Sequence, residues 1–229
     1  MSEQIEIRLN KFLAERLGVS RREADELIEK NQVLVNGKNP VLGCKIDKNS
    51  KVCYNDNILP FEAIFSYLLL NKPVGYVCSR KKQGGAPTLY QLLPKKYHNL
   101  KTVGRLDKDS SGLVLLTNDG DFSFRMTHPK FIKQKKYSVE LDRPLEPLHQ
   151  QMIADFGIKL KDGYSRLGLI REDAGRKKWQ VQMSEGRNRQ IRRTFGALGY
   201  TVEKLHRFEF GDYKLGDLKT GEFRLINKL

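Results

Sequence analysis

The sequence predicts an α+β protein: a small α/β module at the N-terminus, then a larger domain with a largely antiparallel or mixed sheet and flanking helices. Three observations carry this. Beyond residue 66, strand-length apolar or alternating runs outnumber segments with helical spacing. Strands and helices do not alternate strictly, as a parallel α/β sheet would require. The first sixty residues open instead on two helix-spaced segments followed by short strands, which sets them apart as residues 1–62 against 63–229.

In the first part, Arg8 to Leu17 places Leu9, Phe12, Leu13 and Leu17 at helical spacing, and Gly18 ends the helix. Ser20 caps a second helix with Glu23 three residues on, a capping-box pattern. Ala24, Leu27 and Ile28 form its apolar stripe. Val33-Leu34-Val35 is a strand and Asn36-Gly37 a hairpin-turn signal. Short β segments follow near Lys45-Ile46 and at Lys51–Tyr54. Residues 59–66 read as a linker.

In the second part, Tyr67–Leu70 reads as a buried strand, Asn71–Gly75 as a turn and Tyr76–Ser79 as a return strand. The stretch from Arg80 to Pro87 is a polar, glycine-rich loop with three basic residues, and Leu89–Leu93 a short helix. Gly112–Thr117 is an apolar strand, Asp121–Thr127 a helix, and Lys136–Leu141 an alternating, half-buried strand. Leu145–Phe156 reads as helix; Arg166–Ile170 and Lys178–Met183 read as strands. Ile191, Phe195 and Leu198 mark an amphipathic helix that Gly199 terminates. Short strands and Gly turns fill Thr201–Ile226.

Charge narrows the function. The net charge is +15, and residues 1–62 hold ten basic and ten acidic side chains. The whole excess therefore falls on residues 63–229, with 32 basic against 17 acidic. Such an imbalance points to a polyanion, most often nucleic acid. No apolar run reaches membrane-spanning length, the N-terminus lacks a secretory h-region, and Cys44, Cys53 and Cys78 form neither a disulfide framework nor a zinc pattern. The expected setting is cytoplasmic, without membrane or metal.

The four histidines make no H-E-x-x-H, and no G-x-S-x-G, Walker A, G-x-G-x-x-G or zinc-deaminase signature occurs. No cofactor is expected. Three constellations remain. Gly104-Arg105-Leu106-Asp107 puts a carboxylate on a tight turn, where an Asp is more often a structural cap than a catalyst. Tyr137 sits on a strand, a usual core position that also allows stacking on a base or proton transfer. The run Glu185–Arg193 carries Arg187, Arg189, Arg192 and Arg193, with the last three on one side of the expected helix and suited to phosphate.

Two resemblances follow from these residues. RLNKFLAERLGVSRREADELIEKNQVLVNG, residues 8–37, resembles the S4 RNA-binding domain, which implies RNA-facing roles for Arg8, Lys11, Arg21 and Arg22. The segments LLLNKPVGYVCS, VGRLDKDSSGLVLLTNDGD, KKYSVEL, SEGRNRQIRR and LGYTVEKLHR appear in the order found in RsuA/RluB-like rRNA pseudouridine synthases, which they resemble over essentially the full chain. That resemblance implies cofactor-free isomerisation of uridine to pseudouridine. Asp107 matches the catalytic Asp, and Tyr137 matches the Tyr that stacks on the flipped uracil. Arg192 matches the arginine paired with that Asp, and Arg105 one that fills the space left by the extruded base. Ile191 matches an apolar position under the base, and Lys72 with Pro73 a turn supporting the active-site strand. Asp109, Asp119 and Asp121 match no catalytic role and fall to turn and cap duties. The implied partner is rRNA or a pre-ribosomal particle met by a monomer; a tRNA target or a non-catalytic RNA-binding or assembly protein are the alternatives.

Overall fold

A computed structural model describes residues 6–229, and the chain divides into two compact units. One runs to Ser66 and includes Asn118–Gly120; the other comprises Tyr67–Thr117 and Asp121–Leu229.

The first unit contains β1 (Ile7–Arg8), α1 (Leu9–Leu17), α2 (Arg21–Glu29), β2 (Val33–Val35), β3 (Lys45–Ile46), β4 (Val52–Tyr54) and β5 (Asn57–Ile58). Gly18 closes α1 in the left-handed conformation, φ 71°. Ser20 accepts from the Glu23 amide while Glu23 accepts from the Ser20 amide, so the capping box forms in full. Leu9, Phe12 and Leu13 of α1 bury against Ala24 and Ile28 of α2, with Val33, Ile46 and Val52 beneath. Asn36-Gly37 makes the tight turn, with both residues at positive φ. After that turn β2 pairs mainly with β4. Asn55-Asp56, also at positive φ, forms a second tight turn and creates β5, which the sequence reading left unassigned.

The second unit is built on a nine-stranded sheet. Its strands are β6 (Tyr67–Lys72), β7 (Lys101–Val103), β8 (Ser111–Thr117), β9 (Lys135–Leu141), β12 (Gly168–Arg171), β13 (Lys178–Met183), β14 (Val202–Phe210), β15 (Tyr213–Lys214) and β16 (Phe223–Leu225). A separate hairpin holds β10 (Ile158–Leu160) and β11 (Gly163–Ser165). The helices are α3 (Gly120–Thr127), α4 (Pro147–Gln151) and α5 (Gln190–Gly196). Sheet order is β12-β13-β9-β14-β8-β6-β16, with β7 on β8 and β15 on β14. Only the β8–β14 pair is parallel, so the sheet is mixed.

The sheet is covered on both faces, which explains the unbroken apolar runs in β6 and β8. Leu68, Leu70, Val114 and Leu116 enter one core with Trp179, Val181 and Phe195. Leu69, Leu113 and Leu115 enter the other with Phe122, Met126 and Phe210. Each such leucine contributes about 1.5–3 kcal/mol by leaving water.

Several elements differ from expectation. Tyr76–Ser79 is not a strand: Val77 alone makes a bridge, to Thr88, because the Val77 and Leu89 amides bond across to Pro87 and Val77 rather than along a ladder. The helix expected over residues 145–156 begins at Pro147 and finishes as a π turn over Met152–Phe156. α5 stops at Gly196, and Leu198 packs from the following turn. The C-terminal segment is one nine-residue strand, β14, followed by two short ones.

Candidate active site

The Asp107 turn leads directly into β8. Gly104, at φ 69°, starts it, and the Ser110 amide donates to the Asp107 carbonyl at 3.1 Å to close it. Two further bonds fix its outer side. The Leu106 amide donates to Cys78 Sγ at 3.4 Å, and the Gly75 amide to the Lys108 carbonyl at 2.8 Å.

Three strands meet beside this turn. Gly112 on β8 is opposite Arg207 on β14, and Arg207 is opposite Tyr137 on β9. A Cβ on Gly112 would fall 2.2 Å from the Arg207 carbonyl oxygen, so no larger residue permits this approach. Arg207, 2% exposed, turns its guanidinium onto the Leu113 carbonyl at 2.9 and 2.7 Å and over the Phe210 ring. Sequence reading gave it no role, although it ends the quoted run LGYTVEKLHR.

A cavity of about 510 Å³ opens at this junction. Asp107 and Arg105 stand on one wall, and Tyr137, Ile191 and Arg207 line it with Leu106, Met183 and Leu205. Tyr137 and Ile191 are 7% and 4% exposed, so both present a small apolar surface to the cavity. The volume and mixed lining suit one nucleotide. Two carboxylates line it among the described residues. Glu185 is held by Arg187 and by the Gln190 amide. Among the described residues no cation lies within 4.0 Å of Asp107.

The expected Arg192–Asp107 pair is therefore not formed. Arg192 instead approaches Asp109, Nε to Oδ2 at 3.4 Å, donates to the Asp109 carbonyl at 2.8 Å, and anchors on the Val202 carbonyl at 2.5 Å. Arg189 grips the same carboxylate in bidentate fashion at 2.9 and 2.7 Å. The turn closed at Asp107 sends Asp109 toward the start of α5, and this two-residue offset selects the partner. Burial pushes Asp109 up, but the Arg189 bonds and the Arg192 and Arg189 charges outweigh it and hold it below the ordinary carboxylate range. Asp109 thus has more than a turn duty. Arg189 is the N-cap of α5, at φ 47°, rather than a residue of its helical face.

Other expected contacts are also redirected. Arg187 and Arg193 converge on Asp162, Arg193 with both nitrogens at 2.9 and 2.8 Å. Arg187 adds carbonyls of Asp162, Gly163 and Tyr164, so these two arginines tie the β10–β11 turn to α5 and the loop before it. Lys72, fully buried, donates to the Pro73 and Tyr76 carbonyls at 2.9 Å each; it supports the turn and offers no surface to RNA. Burial lowers Lys72, with Cys78, Asp107 and Asp109 acting in the opposite sense.

Lys135, two residues before Tyr137, completes the rim. Its ammonium donates to the Ser184 and Glu185 carbonyls at 3.2 and 3.3 Å, and burial together with the Arg207 charge lowers it to about 8. Sequence reading gave it no role.

In the first unit Arg8, Arg21 and Arg22 are exposed and Lys11 half-buried. Arg21 donates to Asn10 at 3.1 Å, linking α2 to α1. Arg16 of α1 is structural: it donates to the Pro60 and Phe61 carbonyls and covers the Phe12 ring. Among the described residues no helix is long and apolar enough to cross a membrane.

Comparison with known proteins agrees with this geometry. Residues 66–197 match the family described as RNA pseudouridylate synthase, and residues 7–38 match the S4 domain. A "Ribosomal small subunit pseudouridine synthase A" of Pasteurella multocida is 38% identical, covering 96% of each chain. That of Haemophilus influenzae is 37% identical over 97% of each. A solved structure, "Crystal structure of pseudouridylate synthase", superposes with a TM-score of 0.68 at 35% identity over 96% of both chains. With a nucleotide-sized cleft built around Asp107 and matches that run through both units, the chain belongs to the RNA pseudouridylate synthase family and carries an S4 domain.

Proposed function

We propose that this enzyme converts a uridine of small-subunit rRNA to pseudouridine, with Asp107 as the catalytic carboxylate. The observation that carries this is the contrast between the two carboxylates of the cleft: Glu185 is consumed by Arg187 and Gln190, whereas Asp107 lines the cavity with no cation in contact among the described residues. A carboxylate placed so can attack C1′ of the ribose or assist departure of N1. The N1–C1′ bond breaks, the uracil turns, and a C5–C1′ bond forms; the C5 proton is lost and N1 regains one, so the product is an isomer of the substrate.

The uridine must leave its stack to reach Asp107. Tyr137 supplies a ring for the extruded uracil and Ile191 an apolar floor. Arg105, exposed beside the cleft, takes the space the base vacates. The small-subunit target rests on the names of the relatives that match along nearly the whole chain. The enzyme works in the cytosol as a monomer, and Arg8, Lys11, Arg21 and Arg22 add RNA contacts in the S4 domain.

The test is pseudouridine mapping on small-subunit rRNA and its assembly intermediates treated with purified protein. Asp107→Ala should form no pseudouridine while RNA affinity stays within a few-fold of wild type. Turnover by that variant at the normal rate would remove the assignment.

A further inference from the structure

Beside the cleft lies an aromatic surface that the reaction at Asp107 does not use. Every residue from Thr127 to Ile132 is exposed. Thr127 and Pro129 line the cavity, and His128 and Lys130 beside them are exposed without lining it. Phe124, 47% exposed on α3, stacks obliquely on His128 with ring centres 4.6 Å apart, and Phe131 meets Phe124 edge-on at 5.8 Å. The Lys130 ammonium lies 4.7 Å from the Phe131 ring centre and 5.3 Å from that of Phe124. Ile132, 71% exposed, is held at φ 48°, a conformation β-branched residues seldom adopt. Two exposed phenylalanines and a histidine form a contiguous aromatic cluster with a cation over it.

We propose that Phe124, His128, Lys130 and Phe131 form a stacking platform for an unpaired nucleotide next to the target uridine. The inference rests on the reading of the cleft as a uridine site. Three features select single-stranded RNA over a protein partner. The platform shares its segment with Thr127 and Pro129 of the cavity wall, which puts its rings within reach of the nucleotides beside a base that enters the cavity. Its cation sits among rings, the combination that binds a phosphate and the base beside it. Arg125 is exposed on the same stretch and adds positive charge. Extruding one base leaves its neighbours short of a stacking partner. An aromatic face at the mouth of the cleft replaces that partner and holds the strand open while the uracil turns.

The experiment compares wild type, Phe124→Leu/Phe131→Leu and Phe124→Tyr/Phe131→Tyr on a small-subunit rRNA transcript. The leucine pair keeps apolar bulk and removes the π faces; the tyrosine pair keeps them. The expected result is a KM raised at least fivefold for the leucine pair, with kcat within twofold, and near-normal KM for the tyrosine pair. In parallel, the transcript carrying 5-bromouridine in place of uridine is irradiated with Asp107→Ala protein. Cross-links should map to the peptide holding residues 124–132. Unchanged KM in the leucine pair, or no cross-link there, overturns the platform. A defect confined to particles carrying ribosomal proteins, with bare transcript unaffected, assigns the patch to a protein and also overturns it. Absence of pseudouridine with wild-type protein is a different failure, that of the uridine reading itself.

Discussion

Asp109 is bound by two arginines, and both come from the segment that forms the far wall of the cleft. Removing its carboxylate leaves Arg189 without its bidentate partner and Arg192, 14% exposed at its side chain, with a charge facing only carbonyls. Asp109→Ala should therefore lower kcat/KM by roughly 10- to 100-fold, the scale of a misplaced catalytic wall. Single-turnover kinetics on rRNA transcript checks this. The sign of its pH dependence follows from its lowered pKa: the stabilisation is present above the ordinary carboxylate range and is lost as pH falls through Asp109's own value. Lys135 runs the other way. Its folded value near 8 lies below the ordinary 10.5, so between those values the unfolded chain keeps a proton the folded one has released. This lysine's contribution to stability therefore rises from about pH 8 to about 10.5. Labelling lysine carbons and following Lys135 by NMR should show a titration near pH 8, and Lys135→Met should flatten the rise in stability over that window.

Among the elements, β8 shows how sequence and neighbours share control. Its apolar run was legible because both its faces are covered, and the capping box of α2 was legible because its partners lie three residues apart. The placing of Tyr137 on an alternating strand, and of Ile191 on the buried side of α5, followed from the same local periodicities. The Asp109 pairing was not legible, since Asp107 and Asp109 differ only in which side of one turn they occupy. The ties of Arg187 and Arg193 were hidden for a similar reason: Asp162 lies 25 and 31 residues away, on a hairpin with little periodicity. Gly112 carries the element-scale prediction. Its φ of 107° and the 2.2 Å approach to Arg207 leave no room for a methyl group. Gly112→Ala should prise β8 from β14, costing about 3 kcal/mol or more and uncoupling Arg207 from the cleft. Urea unfolding of the purified variant measures the loss.

At the scale of the whole molecule, the central position of β14 governs assembly. It lies between β8 and β9, and its only parallel contact joins residues 95 apart, Ser111 and His206. The catalytic unit without β14 therefore has two half-sheets and no cleft. A chain ended after Tyr200 should retain no pseudouridine-forming activity. Its single tryptophan, Trp179, fully buried in the intact protein, should become exposed to quencher in fluorescence measurements. A truncated chain with Trp179 still protected would show that β13 and β9 close on the core without β14.

The same strand order has a temporal side. During synthesis Asp107 is added before half of the chain is made, and β14 only in the last eighth or so. Until then the carboxylate has neither Arg207 nor a closed wall around it. Catalytic competence consequently arrives in one late step, and the enzyme passes most of its own translation unable to act on any RNA.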